Sequence, residues 1–271
     1  MKKAKAKEFE SFSLGKRLKT MTSVDFGRMF TTPFFYIMFG ISFLITILVI
    51  VMTTMMDGTT SVNPQTGVET TMEAFKNTWQ VIGTISGGSS TMAMDLTSMV
   101  NINLVYFIVS VLVCLFVAAD FRSGYAKNLF TIRAKKTDYM ISKTLVCFVA
   151  GAFMVLAFFI GTMLGGLIMG LPFDLEEASV GSIVLCMICK VLLMAVFVPI
   201  YLLMSVIAKQ KSWLSILLSL MTGMFLFMMI PMLTPLNATI MNVILCLAGG
   251  AMFSVGLGAI GNSILKKKDI L

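Results

Sequence analysis

Few residues in this chain have the type and spacing for chemistry. There are 0 His in the sequence, which removes the commonest general base and the commonest metal ligand. The five cysteines, Cys114, Cys147, Cys186, Cys189 and Cys246, all lie inside apolar runs, which argues against a secreted disulfide framework. Cys186 and Cys189 have C-x-x-C spacing, but no further ligand type stands beside them. The pair reads as two small hydrophobes on a helix rather than a zinc or redox centre. No P-loop, no G-x-S-x-G elbow, no H-E-x-x-H and no paired catalytic carboxylates occur. The exceptional group is Lys190, which interrupts a long apolar stretch. A charge there costs at least about 2.5–3.5 kcal/mol in hydrocarbon. It reads either as a lysine reaching back to the nearer interface or as a cation lining a substrate cavity. In the second reading Asn101 and Asn103 are its candidate companions.

The elements that must position these groups follow from composition. The chain has 271 residues, 58% hydrophobic and 13% charged, with a mean hydropathy of +0.94. A soluble domain is about 45–50% apolar and about 25% charged, so there is too little polar surface here to coat a soluble fold. The reading is an all-α polytopic membrane protein forming a single transmembrane domain over 1–271. Six runs are long enough to cross a bilayer: 34–55, 99–119, 144–170, 182–208, 213–232 and 238–264. The first begins beyond residue 30 with no small-residue cleavage site, so it is expected to be retained as an anchor.

The net charge is +8. Nineteen of the 21 Lys and Arg precede the first run, fall between the second and third or the fourth and fifth, or follow the sixth. The other side carries Lys76 alone, against Asp57, Glu69, Glu73, Asp95, Asp174, Glu176 and Glu177. By the positive-inside rule both termini are cytoplasmic. The basic balance marks a rim beside anionic lipid in the cell membrane, not a nucleic-acid site.

Between the spans, the outer loop 57–98 is large and the inner loop 120–143 is the main cytoplasmic segment. In the outer loop, Thr70 and Glu73 have capping-box spacing, and Met72, Phe75, Trp79 and Ile82 follow at helical intervals. This predicts a short amphipathic helix at the outer interface. Segment 1–33 predicts a cytoplasmic amphipathic helix with Leu14, Leu18, Met21 and Met29 on one face, Asp25 as the flaw on that apolar side, and Pro33 as its end. Gly161, Gly165, Gly166 and Gly170, and again Gly250, Ser254 and Gly258, have the spacing that lets helix backbones approach closely. Pro199 is expected to kink the fourth span.

The inner loop is the most informative stretch. It runs Asp120-Phe121-Arg122-Ser123-Gly124-Tyr125-Ala126-Lys127-Asn128-Leu129-Phe130, with Ser142-Lys143 before the third span. This resembles the same loop of the ABC-2 type ABC transporter permeases, in motif over this segment and in layout over nearly the whole chain. The resemblance implies a six-span, type V exporter-like architecture. It implies that Asp120–Phe130 is a coupling helix docking on a separate ATP-binding subunit, through Asp120, Phe121, Arg122, Gly124, Tyr125, Lys127, Asn128 and Leu129. Phe121, Tyr125 and Leu129 have the four-residue spacing of a helix-in-groove stripe. The resemblance further implies no cofactor in this chain, ATP being bound by the partner, and a second permease copy or paralogue completing a homo- or heterodimer. The function expected is export of a hydrophobic or amphipathic substrate such as an antimicrobial peptide, a lipid-like compound or a drug. The alternative is a non-transporting membrane scaffold or peptide-immunity protein. A membrane-embedded enzyme is disfavoured by the missing catalytic constellations.

Overall fold

The computed structural model describes residues 13–62, 69–71, 74–83, 102–131, 135–174, 178–209, 211–227 and 233–267. The first helix, α1 (Leu14–Thr31), is followed after one residue by α2 (Pro33–Met55). Thr32 is extended, with φ −79° and ψ 124°, because the ring of a following proline disfavours helical backbone at the residue before it. Pro33 then opens α2 at its first position, where a missing N–H costs nothing. Helices α3 (Asn103–Arg122), α4 (Tyr125–Thr131), α5 (Lys136–Met169), α6 (Val180–Ala208), α7 (Ser212–Phe227) and α8 (Ile240–Lys267) complete the set among the described residues.

Five of these, α2, α3, α5, α6 and α8, are long and apolar enough to cross a membrane. Helix α7 is described over 16 residues, about 24 Å at about 1.5 Å per residue, which is short of a bilayer core of about 30 Å. Of the expected fifth run, 228–232 lies outside the described residues. Two boundaries differ from expectation in the same sense. Helix α5 starts at Lys136 rather than 144, and α3 continues to Arg122 rather than 119. Both helices extend beyond their apolar runs at the end where the basic residues gather, here termed the basic end. The added turns carry the polar residues described in the next section.

Helix α6 sits at the centre and packs against α3, α5, α7 and α8, while α2 lies along α5. Pro199 is buried inside α6, where its ring removes one backbone hydrogen bond. The small-residue spacings are used for packing within the chain. A Cβ on Gly161 would stand 2.5 Å from the Phe43 carbonyl oxygen, and one on Gly165 2.9 Å from Ile50 Cδ1. Ser42 Oγ donates to the Met154 carbonyl at 3.0 Å across the same contact. On α8, Gly250 lies against Ala195 of α6, whereas Gly258 faces open space. Gly170 ends α5 with φ 68°, a left-handed cap that glycine adopts without strain.

At the opposite end the predicted amphipathic helix does not form. Thr60–Val62 and Glu69–Thr71 pair as an antiparallel hairpin, with Thr70 opposite Ser61, so Thr70 caps no helix; Met72 and Glu73 lie outside the described residues. A single 3-10 turn, Thr78–Val81, follows, capped by the Asn77 side chain accepting from the Trp79 N–H at 2.9 Å. Phe75, Val81 and Ile82 are buried. The turn is tied to the segment after α5: the Thr78 N–H donates to Pro172 O at 3.0 Å, Asn77 Nδ2 to Asp174 O at 2.7 Å and Trp79 Nε1 to Phe173 O at 2.8 Å. Ile102 N donates to Val81 O at 3.1 Å, which joins the turn to the start of α3. The apolar spacing is therefore satisfied by burial against neighbouring loops instead of by a surface helix.

Candidate functional site

The residues that gather most densely into a polar group are at the basic end, where α1, α3, α4 and α5 converge. Asp25 falls on the inner side of α1 because Met21 and Met29, one turn either way, share that buried face. Its two oxygens accept from Lys143 Nζ at 2.8 Å and from Ser142 Oγ at 2.6 Å. Lys143 reaches Asp120, in the last turn of α3, at 2.7 Å, and the Tyr139 hydroxyl donates to the same carboxylate at 3.0 Å. Arg28, one turn beyond Asp25, completes a circuit by pairing with Asp120 at 2.6 Å and lying 3.8 Å from Asp25. Asp25, Asp120 and Lys143 are fully buried, and Arg28 is the group's exposed edge.

Two carboxylates and two cations thus sum to zero charge, the condition under which ionised groups tolerate a desiccated site. Aromatic rings wall the circuit. The Arg28 guanidinium lies 3.9 Å from the centre of the Tyr125 ring, and Lys143 Nζ lies 4.0 Å from that of Phe116. Cations are attracted to such ring faces. Burial works against the charged form of Arg28, but the Asp120 carboxylate outweighs it and holds the guanidinium proton more tightly than usual. The Tyr125 phenol is raised above its ordinary range by burial and by the Asp25 carboxylate, against the opposing pull of Arg28.

The first turns of α5 extend this clasp outward. Asp138 pairs with Arg17 of α1 at 3.0 Å. Lys136 Nζ donates to the Leu265 carbonyl at 2.5 Å, near the end of α8 where unpaired carbonyls face cations. Phe130 of α4 packs edge-on against Tyr139 at 5.4 Å. Four helices are thereby joined to the same two turns of α5.

This arrangement corrects several expectations about the loop. Asp120–Phe130 is not one helix: α3 ends at Arg122, and Gly124, with φ 72°, turns the chain into α4. Asp120 is not a docking residue at the surface but the buried partner of Lys143 and Arg28. The stripe of Phe121, Tyr125 and Leu129 faces inward: Tyr125 lies under Arg28, and Phe121 and Leu129 pack against the core. Arg122, Lys127 and Asn128 are among the residues that α3 and α4 expose. Sequence reasoning missed Asp25, Arg28, Tyr139 and Ser142 as members of the site. The signal was there in Asp25, the single residue that spoils the apolar face of α1.

Lys190 is buried in α6. It is 1% exposed, and its backbone carbonyl accepts from the Tyr106 hydroxyl at 2.9 Å. Asn103 is buried in the first turn of α3, and Asn101 lies outside the described residues. All five cysteines are free thiols. Among the described residues no group of three or more metal-ligating side chains is assembled.

No curated relative and no solved structure matches the chain. The family model described as ABC-2 family transporter protein matches residues 31–226, a span that includes Asp120, Lys143 and the whole of α4. With five long apolar helices and this match over most of its length, the chain is a multi-pass membrane protein that belongs to the ABC-2 transporter family.

Proposed function

We propose that the chain is the membrane permease subunit of an ATP-driven exporter, with the clasp as the part that transmits motion. A separate ATP-hydrolysing subunit docks at the outward face of the α3–α4 turn, at Arg122, Lys127 and Asn128, and the partner alone binds ATP. The observation that carries this reading is the attachment of α4. Through Tyr125, Arg28, Asp120, Lys143 and Asp25 it is joined to α1, α3 and α5. A push on α4 therefore cannot be absorbed locally. It must displace or re-pair charges that belong to two membrane-crossing helices.

The basic end is then the cytoplasmic face of the cell membrane and both termini lie there, a reading supported by the nineteen basic residues gathered on that side. A second permease copy or a paralogue completes the translocation path. The substrate is hydrophobic or amphipathic, such as a peptide, a lipid-like compound or a drug, in keeping with 25 Met and 22 Phe in the sequence.

The test is purification of the tagged chain in mild detergent with identification of what accompanies it. The expected result is a stoichiometric P-loop ATPase that is lost from the Arg122→Glu, Lys127→Glu double variant. The Arg28→Met variant keeps the ATPase bound but abolishes substrate-stimulated hydrolysis. A chain that purifies without an ATPase, or an ATPase indifferent to the double variant, refutes the docking face and favours a scaffold or immunity role.

A further inference from the structure

Polar and apolar groups also converge at the opposite end, where α2 stops. Asp57 follows the last turn of α2, and Gly58 turns the chain back with φ 74°. The Ala74 N–H donates to Asp57 Oδ1 at 2.8 Å, which draws 74–76 toward the end of α2. The Lys76 N–H donates to Gln80 Oε1 at 2.7 Å, which ties that segment to the Thr78–Val81 turn. Between these parts and the residue just past the Gly170 cap of α5 lies a cavity of about 520 Å³, lined by Thr54, Asp57, Ala74, Phe75, Lys76 and Leu171. Phe75 is buried in its wall, whereas Asp57 and Lys76 are exposed. The cavity thus joins an apolar wall to one charge of each sign. On the neighbouring turns, Met52 and Met55 of α2 and Leu167 and Ile168 of α5 are each more than half exposed.

Exposed apolar side chains that lead to a cavity with paired charges suit an amphiphile whose compact head is itself a dipole. A head that is only anionic meets the Asp57 carboxylate as a like charge, and an uncharged head leaves both side chains unmatched. The volume is in the range of small-ligand sites, about 300–1,000 Å³. We propose that this cavity holds the ammonium–phosphate headgroup of a zwitterionic phospholipid of the phosphatidylethanolamine class. The phosphate pairs with Lys76 and the ammonium with Asp57, while the acyl chains lie along the exposed side chains of α2 and α5. A primary ammonium brings N–H donors for the carboxylate that a trimethylammonium lacks, so the choline headgroup is the poorer fit. The site is at the other end of the molecule from the clasp and stands whether or not the chain is an exporter subunit.

The experiment titrates the full-length chain in detergent with phosphatidylethanolamine, phosphatidylcholine or phosphatidylglycerol and counts retained lipid by native mass spectrometry. No ATPase enters the measurement, so its outcome is separate from that of the docking test. The expected result is one phosphatidylethanolamine held per chain, with the other two lipids weaker by about two- to fivefold, the range of exposed ion pairs. Asp57→Asn weakens phosphatidylethanolamine by a similar factor and leaves phosphatidylglycerol equal or tighter, because a like charge has gone. Lys76→Gln weakens both. Asp174→Asn, an exposed acid outside the cavity, changes neither. Both substituted cavity residues are exposed, so their variants are expected to keep the thermal midpoint of the parent. Equal binding of the three lipids overturns the proposal, as does a Asp57→Asn, Lys76→Gln double variant that binds like the parent or an equal loss in Asp174→Asn. Glycerophosphoethanolamine, which has the headgroup without acyl chains, is expected to compete only at far higher concentration. If it displaced the lipid at equal concentration, the occupant would be a free zwitterion and the lipid assignment would fall.

Discussion

The two ends of the bundle are fastened by different physics. At the basic end four charged side chains share partners: Lys143 serves both Asp25 and Asp120, and Asp120 serves both Lys143 and Arg28. At the opposite end the Thr78–Val81 turn is held by single, directional bonds from Asn77, Thr78 and Trp79 to the carbonyls of Asp174, Pro172 and Phe173. A shared ionic circuit can exchange partners while every charge stays compensated. A set of one-to-one bonds to backbone carbonyls can only hold or break. The comparison teaches where movement is cheap. In the function proposed above, the basic end re-pairs under load while the other end stays closed.

The comparison can be broken most forcefully at Lys143. In Lys143→Met two carboxylates remain buried with Arg28 as their one remaining cation in the circuit, a loss of about 3–5 kcal/mol. Thermal unfolding in detergent should show it as the lowest midpoint of the series. The Asp25→Asn, Lys143→Met double variant should recover part of that loss, because one orphaned charge goes with its partner; a double variant no better than the single one would mean that the circuit does not share charge.

A smaller effect is expected where the ends are joined by packing. Gly161→Ala places a methyl against the Phe43 carbonyl and Thr46 and should cost about 1–3 kcal/mol. Gly258→Ala, with open space around it, should change the midpoint by no more than about 0.5 kcal/mol. Equal effects at the two glycines would contradict the α2–α5 contact described above.

The smallest effect belongs to the opposite end. Trp79→Phe keeps the ring against Phe173 but removes the N–H that reaches its carbonyl, a loss of about 1 kcal/mol. It should speed hydrogen exchange in 77–83 and leave exchange in α4 unchanged. If α4 responded as strongly as the turn itself, the two ends would be one cooperative unit rather than two fastenings.

The membrane class, the basic side and the small-residue seams were legible because they depend on composition and on spacing along one helix. Gly161 and Gly250 needed no knowledge of the partner helix to be recognised as close-approach positions. The clasp was less legible. Asp25 stood out as a flaw in an apolar face, and Asp120 and Ser142-Lys143 stood out in the loop, but nothing local says that they meet. Helical spacing also gives a stripe without its direction. Phe121, Tyr125 and Leu129 share a periodicity that fits an outward groove or an inward wall equally well, and burial under Arg28 decides for the wall. At 70–82 the capping-box spacing and apolar period competed with a hairpin and with carbonyl partners about 90 residues away, which no local pattern encodes.

The separation of the clasp's members along the chain carries a consequence for synthesis. Asp25 and Lys143 are 118 residues apart. At about 5–20 residues per second, roughly 6–24 seconds pass between the emergence of the acid and that of its cation. Throughout that interval Arg28, 3.8 Å away on the same helix, is the one cation of the circuit beside Asp25. Asp120, the partner of Arg28, is made before Lys143, so within the circuit α1 awaits synthesis of α5 only for the bonds of Asp25 to Ser142 and Lys143. A chain that stops before Ser142 keeps Arg28 beside Asp25 but lacks both side-chain donors that α5 supplies to that carboxylate.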